Sequence, residues 1–214
     1  MFVSDWMTRK VVAVEPTDSI GHAYRLVTSE GFRHLPVVKD EQLKGILSDL
    51  DIQAWLPSKA KAMAEDEIND LLDSVSVKDA MTQSVITATP QTPVEKAAFD
   101  MHEHDIGCLP VVEGGRLVGI LTEQDIFRAF AEATGVRQGG QRLSVAIEDN
   151  PSALKAVTDI VRKYGFELHC LFTSTEGVKK GQKRVVIRTR GQGDFQKLRM
   201  ELEATYNPIH LSRS

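Results

Sequence analysis

Two octets of the chain each place a hydroxyl residue three positions before an aspartate. They read GILSDLDI from residue 45 and GILTEQDI from residue 119. This spacing is typical of a helix capping box, in which hydroxyl and carboxylate bond to backbone N–H groups and contribute about 1 kcal/mol. The same groups could also bind a ligand. A helix start attracts phosphate, and a carboxylate one turn on can accept hydrogen bonds from both hydroxyls of a ribose. The residues concerned are Ser48, Asp51, Thr122 and Asp125.

The octets end two copies of a longer repeat. Residues 3–52 align with residues 77–126 without a gap, and 17 of the 50 pairs are identical. Each copy has a short apolar stretch, a helical pattern, two apolar runs joined by polar turn residues, and then the octet, which ends a strand and begins a helix. The pattern predicts a β-α-β-β-α unit whose first strands cover 11–14 and 85–88. One unit cannot bury its own sheet, so we expect the two copies to pack sheet to sheet.

The C-terminal part of the chain differs in charge and in pattern. Residues 1–141 hold 13 Lys and Arg against 22 Asp and Glu, whereas residues 142–214 hold 13 against 8. A change of sign beside the Gly-rich stretch GVRQGGQR indicates a domain boundary. The patterns after it predict the order β-α-β-β-α-β, with a first helix that begins at Asn150 and Pro151. This order is that of a ferredoxin-like sandwich, so the predicted fold class is mixed α/β (α+β).

These motifs resemble those of known families. The MT dipeptides, the LPVV runs and the paired octets resemble a tandem CBS domain pair, also called a Bateman module. The stretch IEDNPSALKAV is similar to the opening of ACT domains, although Ser152 stands where that family usually has Gly. The domain order also resembles the acetoin-utilisation proteins of the AcuB type. The predicted organisation is CBS repeat 1 (1–57), a linker helix region (58–73), CBS repeat 2 (74–133), a linker (134–141) and an ACT-like domain (142–214).

The resemblance to CBS pairs implies a ligand. In that family the matching Asp holds ribose and the matching Ser or Thr lies near phosphate, which implies an adenosine nucleotide such as AMP, ADP, ATP or S-adenosylmethionine. The adenine ring should rest against apolar residues such as Val12 and Ile86, with its edge read by backbone groups.

The two copies differ just before their LPVV runs. Arg33 and His34 in the first copy could meet a phosphate, since a guanidinium suits it, or could be solvated residues at the start of a strand. The second copy has Gly107 and Cys108 there, and Arg128 lies three residues beyond the octet aspartate. We therefore expect two sites of different affinity, one of which could prefer a less charged ligand.

Other chemistry is not indicated by the sequence. It has no Walker-type loop, no GxSxG elbow and no zinc-like cluster, so we expect no enzyme activity, no catalytic cofactor and no metal. The basic residues between 179 and 190 lack the interleaved aromatic residues of a stacking platform, so nucleic acid is not expected as a partner.

No apolar run approaches the roughly 20 residues that span a bilayer, and the N-terminus is not a signal peptide. With Cys108 and Cys170 read as buried thiols, we expect a cytoplasmic protein with no membrane contact.

The sequence thus favours a regulatory sensor. In this hypothesis the CBS pair binds an adenosine nucleotide and transmits its occupancy through a homodimer to an unknown regulated protein. One alternative is a scaffold in which the octets are only helix caps. Others are an amino-acid sensor that acts through the ACT-like domain, and a subunit whose catalytic partner is a separate chain.

Overall fold

The computed structural model describes residues 1–56, 65–206 and 209–213. Its contacts divide the chain into two compact units, Met1–Phe127 and Arg128–Ser214, and one helix spans this division. The elements that begin in the first unit are α1 (Val3–Trp6), α2 (Ile20–Glu30), β1 (His34–Lys39), β2 (Gln42–Ser48), α3 (Asp49–Gln53), α4 (Glu65–Asp73), α5 (Val77–Ala80), α6 (Val94–Glu103), β3 (Cys108–Glu113), β4 (Arg116–Thr122) and α7 (Glu123–Ala133). The second unit continues with β5 (Gln141–Glu148), α8 (Pro151–Lys163), β6 (Glu167–Ser174), β7 (Gln182–Arg190), α9 (Phe195–Thr205) and β8 (Ile209–Arg213).

The first unit is built on two equivalent hairpins. Strands β1 and β2 pair antiparallel, β3 and β4 do the same, and both hairpins have a register shift at the same place. The hairpins join into one four-stranded sheet of order β1-β2-β4-β3, in which β2 and β4 pair through Gln42 and Arg116. The predicted tandem α/β repeat is confirmed at this level. The prediction that the two copies pack sheet to sheet is wrong, because their hairpins join edge to edge in one sheet.

The predicted first strand of each copy is wrong. The stretches 11–14 and 85–88 are extended, but each makes only an isolated parallel bridge, Val14 to Val37 and Ala88 to Val111. A longer ladder does not form because the chain immediately before these stretches pairs with the other copy.

This pairing exchanges the leading segments of the two copies, which we define as residues 3–8 and 77–82. Thr8 exchanges two backbone hydrogen bonds with Ile120 of the second copy, and Thr82 does the same with Ile46 of the first. The apolar side chains of the leading segments are exchanged in the same way as their backbones. Val3 and Met7 belong to the core of the second copy, whereas Val77 belongs to the core of the first. Each core is therefore completed by residues of the other copy.

The repeated Gly of the octets is explained by this exchange. A Cβ atom at Gly45 would lie 2.6 Å from Sδ of Met81 and 2.8 Å from the carbonyl oxygen of Thr82. At Gly119 the corresponding distances, to Met7 and Thr8, are 2.6 and 3.1 Å. Only glycine lets the backbone of the other copy approach this closely.

The linker helix region is partly a structural element of the first copy. Its residues 58–64 lie outside the described residues. From Glu65 onwards it forms α4, and Leu72 is fully buried in the core of the first copy. At the end of α4, Asp73 accepts a hydrogen bond from Ser19 Oγ at 2.6 Å and pairs with Arg25 at 3.3 Å. This helix therefore closes the core of the first copy.

The second unit has the predicted order of elements. Its antiparallel sheet runs β6-β7-β5-β8, which is the strand order of a ferredoxin-like sandwich. Helices α8 and α9 pack on one face around fully buried Val161, Leu198 and Leu202. Helix α8 starts as expected, because the side chain of Asn150 accepts the Ala153 N–H at 2.8 Å. The finer assignment to the ACT-like class stays a prediction.

The basic residues of the second unit bond to their own unit. Lys183 pairs with Asp149 at 3.0 Å and Arg190 with Glu167 at 2.8 Å. The buried guanidinium of Arg188 donates hydrogen bonds to two backbone carbonyls of residues 134–139. The charges of Lys183 and Arg190 are thus matched within the unit.

Three observations concern membrane spans, thiols and metal ligands. Within the described part of the chain, no helix combines the length and apolar character needed to cross a membrane. Both thiols are free, with Cys108 buried and Cys170 half-buried. Over the same residues, no group of three or more His, Cys, Asp and Glu side chains could hold a metal ion.

Candidate functional site

The first octet forms a complete capping box at the start of α3. Ser48 Oγ accepts the Asp51 N–H at 3.1 Å and donates to Asp51 Oδ2 at 2.7 Å. The Ser48 N–H donates to the same carboxylate oxygen at 2.8 Å. Two of these three contacts use Oδ2, and Oδ1 of Asp51 accepts no hydrogen bond from any residue that the structure describes. The second carboxylate oxygen is therefore available to a ligand.

The second octet repeats these contacts at the start of α7. The Thr122 N–H donates to Asp125 Oδ2 at 2.9 Å, and Thr122 Oγ1 donates to it at 2.8 Å. The return bond from the Asp125 N–H to Thr122 Oγ1 is longer, at 3.4 Å. The local hydrogen bonds are thus those predicted from the spacing in both copies.

The two octets differ in burial and in the helix that follows. Asp51 is half-buried, whereas Asp125 is 6% exposed. Helix α3 has 5 residues and α7 has 11. A helix of barely more than one turn sums few aligned peptide dipoles, so the predicted attraction of phosphate to a helix start has little basis in the first copy.

The copies also meet through His34 and Gly107. The His34 ring fills the space beside Gly107, where a Cβ atom would lie 3.1 Å from His34 Cε1 and 3.7 Å from a carboxylate oxygen of Glu123. Burial lowers the pKa of His34, opposed by the carboxylates of Asp49 and Glu123. The predicted residues Gly107 and His34 are therefore brought together, and a Cβ atom at position 107 would require the imidazole to shift slightly.

The remaining predicted residues differ in burial and in chemistry. Burial, helped by the Glu123 carboxylate, raises the pKa of Cys108 to about 12, so its thiol stays protonated. Arg33 is exposed, and its carbonyl accepts the Asp49 N–H. Val12 is 38% exposed, whereas Ile86 packs against the core of the second copy. Arg128 lies on α7 beyond the second octet.

An open cavity of ≈ 250 Å³ lies beside the first octet's strand. It involves both copies, because Leu43 and Lys44 come from β2 and the other lining residues come from the second copy. Those residues are Gln83, Val85, Thr87, Val112 and Gly115. None of them was predicted as a site residue. The sequence held no distinctive signal for them, because most of the 50 aligned pairs differ between the copies, Gln83 with Arg9 and Thr87 with Ala13 among them.

These features define the class of protein. It is a tandem α/β repeat whose copies exchange their leading segments, and each copy ends in a helix that begins with a hydroxyl residue and an Asp in a capping box. The sequence profile of the CBS domain matches residues 3–58 and 77–132, once on each copy. The two matches cover more than half of the chain. The chain belongs to the CBS domain family.

Curated relatives include longer proteins. The chain is 34% identical to a homoserine O-acetyltransferase of Methanohalobium evestigatum over 133 residues, which cover 61% of this chain and 24% of that protein. It is also 34% identical to the uncharacterized protein MJ1225 of Methanocaldococcus jannaschii over 132 residues, or 60% and 47% of the two chains. The chain therefore spans less than half the length of these relatives, and the first of them is named as an enzyme.

Solved structures of similar fold include complexes with adenosine compounds. A protein assigned to acetoin utilization (AcuB) from Vibrio cholerae has a TM-score of 0.54 at 29% identity, covering 64% of this chain and 96% of its own. The AMP complex of CBSX2 has a TM-score of 0.51 at 31% identity, with coverage of 61% and 96%. The CBS pair of MJ0100 with 5-methylthioadenosine and S-adenosyl-L-methionine has a TM-score of 0.50 at 30% identity, with coverage of 62% and 97%.

Proposed function

We propose that this chain is a regulatory module whose CBS pair binds an adenosine compound of the class of AMP, ADP, ATP or S-adenosylmethionine. The observation that carries the proposal is the capping carboxylate of Asp51. Its Oδ2 atom is used by the cap, while Oδ1 accepts no hydrogen bond from the described residues. The complexes of CBSX2 and MJ0100 support the choice of ligand.

The chemistry of the site suits a ribose. A carboxylate accepts hydrogen bonds only, and a ribose offers two neighbouring hydroxyl donors. Each bond from a hydroxyl to a charged carboxylate contributes about 1.5–3 kcal/mol. The Asp51 side chain is oriented by the cap before the ligand arrives, so little side-chain entropy is lost on binding.

The two sites should have unequal affinity under this proposal. Asp51 is half-buried and Asp125 is 6% exposed, so a ligand reaches the first carboxylate more readily. We infer that the first octet holds the tighter site. Occupancy would act on a homodimer, and the C-terminal ACT-like domain, from about residue 142, would pass the signal to a partner protein.

The proposal is tested by thermal unfolding of the purified chain with AMP, ADP, ATP and S-adenosylmethionine. A ligand at 100 times its dissociation constant adds about 2.7 kcal/mol, which raises the melting temperature by about 5–11 °C in a chain of this size. The control ligand is 2′-deoxy-AMP, which lacks one hydroxyl donor and should bind about tenfold to a hundredfold more weakly. Absence of a shift with every adenosine compound would reject the proposal.

A second candidate function is a partner-binding scaffold without a nucleotide. It is favoured by one observation: both capping boxes are complete without a ligand, so each octet has a structural role of its own. Equilibrium dialysis with radiolabelled AMP separates the two. A chain that folds cooperatively yet retains no AMP at millimolar concentration would favour the scaffold.

A further inference from the structure

The imidazole of His34 packs against the backbone of the other copy. His34 begins β1 in the first copy, whereas Gly107 immediately precedes β3 in the second. A Cβ atom added at Gly107 would lie 3.1 Å from Cε1 and 3.4 Å from Nε2 of His34, and a carboxylate oxygen of Glu123 lies 3.7 Å from the same point. The ring is half-buried there. The two copies therefore meet through a side chain whose charge changes between about pH 5 and 8.

Charged groups of both copies act on the His34 ring. Asp49 and Asp51 of the first copy and Glu123 of the second favour its protonated form, whereas Arg33 favours the neutral form. Burial also favours the neutral form and is the largest of these influences, so the pKa of His34 is lowered from 6.5. The packed ring is therefore neutral at pH 7, although three carboxylates are directed against this state.

The equivalent position of the second copy cannot respond to acid in the same way. Cys108 corresponds to His34 in the alignment of the copies. Burial raises the pKa of the Cys108 thiol to about 12, so the thiol stays neutral. Each of these residues is the cross-strand partner of an octet hydroxyl, His34 of Ser48 and Cys108 of Thr122. A change of pH near neutrality therefore acts at one of two equivalent positions, the one beside the first octet.

We propose that the contact between His34 and Gly107 is a pH-sensitive contact of the two copies, formed while the imidazole is neutral and lost once it is protonated. A charged ring packed against Gly107 would keep only part of its hydration, and a buried charge is costly unless it is paired. The protonated ring should therefore turn towards water. This contact needs no ligand and goes beyond the proposed function, so either proposal can fail without the other.

The stability of the chain should follow the protonation of His34. Because its pKa is lower in the folded chain, the unfolded chain binds more protons, and the free energy of unfolding falls as the pH falls. The contribution of the neutral ring is fully present above pH 6.5. It is lost as the pH falls from there through the lower pKa of the folded chain.

The experiment is an NMR titration of the full chain from about pH 8 to about pH 5, the range in which an ordinary histidine titrates. One α proton of Gly107 points in the direction of the absent Cβ and therefore faces Cε1 of His34. At high pH a nuclear Overhauser effect should join this proton to Hε1 of His34. It should disappear with the midpoint of the imidazole titration, which should lie below 6.5. An effect that persists once the ring is protonated would overturn the proposal.

Variants test the same contact through its neighbours and through stability. Asp49→Asn and Glu123→Gln each remove a carboxylate and should move the His34 midpoint to lower pH. His34→Gln cannot titrate, so its melting temperature should fall less than that of the wild type between about pH 7 and about pH 5.5. His102→Gln, in the exposed last turn of α6, is the matched control and should keep the wild-type fall. A wild-type fall in His34→Gln, or a midpoint that neither carboxylate variant moves, would also overturn the proposal.

Discussion

The two octets share their sequence pattern and their hydrogen bonds but differ in what surrounds them. Ser48 and Thr122 cap their helices in the same way. The first helix nevertheless ends at Gln53, whereas the second continues to Ala133. Sequence beyond the octets gives a reason, because Pro57 stands where the second copy has Ala131, and a proline disfavours helix at the residue before it. A repeated motif therefore reproduces local bonding, while exposure and helix length depend on residues outside it.

The sharpest test of this difference is the nucleotide affinity of the two aspartate variants. Asp51→Asn removes the charge that accepts the ribose hydroxyls and should weaken AMP binding by about tenfold to a hundredfold, from a loss of about 1.5–3 kcal/mol. Asp125→Asn should change the affinity of the tighter site much less, because Asp125 is 6% exposed. Isothermal titration of both variants measures this.

Loss of a cap must be separated from loss of a ligand contact. Asp194→Ala is a matched control, since Asp194 caps α9 in the second unit by accepting the Lys197 N–H at 3.1 Å. It should lower the melting temperature without changing AMP affinity. Equal losses of affinity in Asp51→Asn and Asp125→Asn would show that the difference in burial does not matter.

The next largest expected effect is on the free energy of unfolding, in variants that disturb the exchanged leading segments. Gly45→Ala and Gly119→Ala each place a Cβ atom against a methionine sulfur and a backbone carbonyl, and should lower the free energy of unfolding by about 1–3 kcal/mol. Gly45→Ala should cost more, because its carbonyl contact is 2.8 Å against 3.1 Å and backbone moves less readily than a side chain. Urea denaturation measures both. Lys44→Ala, at the exposed neighbouring position, is the control and should change the free energy of unfolding little. Similar losses of stability in all three variants would contradict the exchange of leading segments.

The smallest expected effect on the free energy of unfolding concerns the hairpin turns. Asp40 and Glu41 have φ of +52° and +63°, where the second copy has Gly114 and Gly115. An L-residue in this region costs about 1–2 kcal/mol, partly offset by the greater freedom of glycine in the unfolded chain. Asp40→Gly should therefore raise the free energy of unfolding by up to about 1 kcal/mol, or about 2–4 °C in melting temperature. A lower melting temperature would show that the aspartate stabilises the turn in some other way.

Interactions between near neighbours in sequence were predictable. The octet caps and the Asn150 cap each join residues three apart, so spacing alone indicated them. The order of elements in the second unit followed from alternating and helical patterns.

Interactions between distant residues were not predictable from these patterns. The pairing of Thr82 with Ile46 leaves no local pattern, so the stretches at 11–14 and 85–88 were taken for strands. The repeated Gly of the octets and the repeated MT dipeptides were visible traces of that pairing, but neither motif shows by itself that it contacts the other copy. The cavity and the burial of Asp125 likewise depend on several elements at once.

The reciprocal exchange of leading segments makes the two copies mutually dependent. A repeat expressed alone would keep its hairpin but present an open groove beside its octet Gly, because the residues that fill that groove belong to its sister. Fragments produced by cutting the chain between residues 57 and 64 should therefore associate in trans, each closing the other. At high concentration, two intact chains could trade these segments instead, as in domain swapping. Removal of either copy therefore leaves the core of the other copy without some of its apolar side chains.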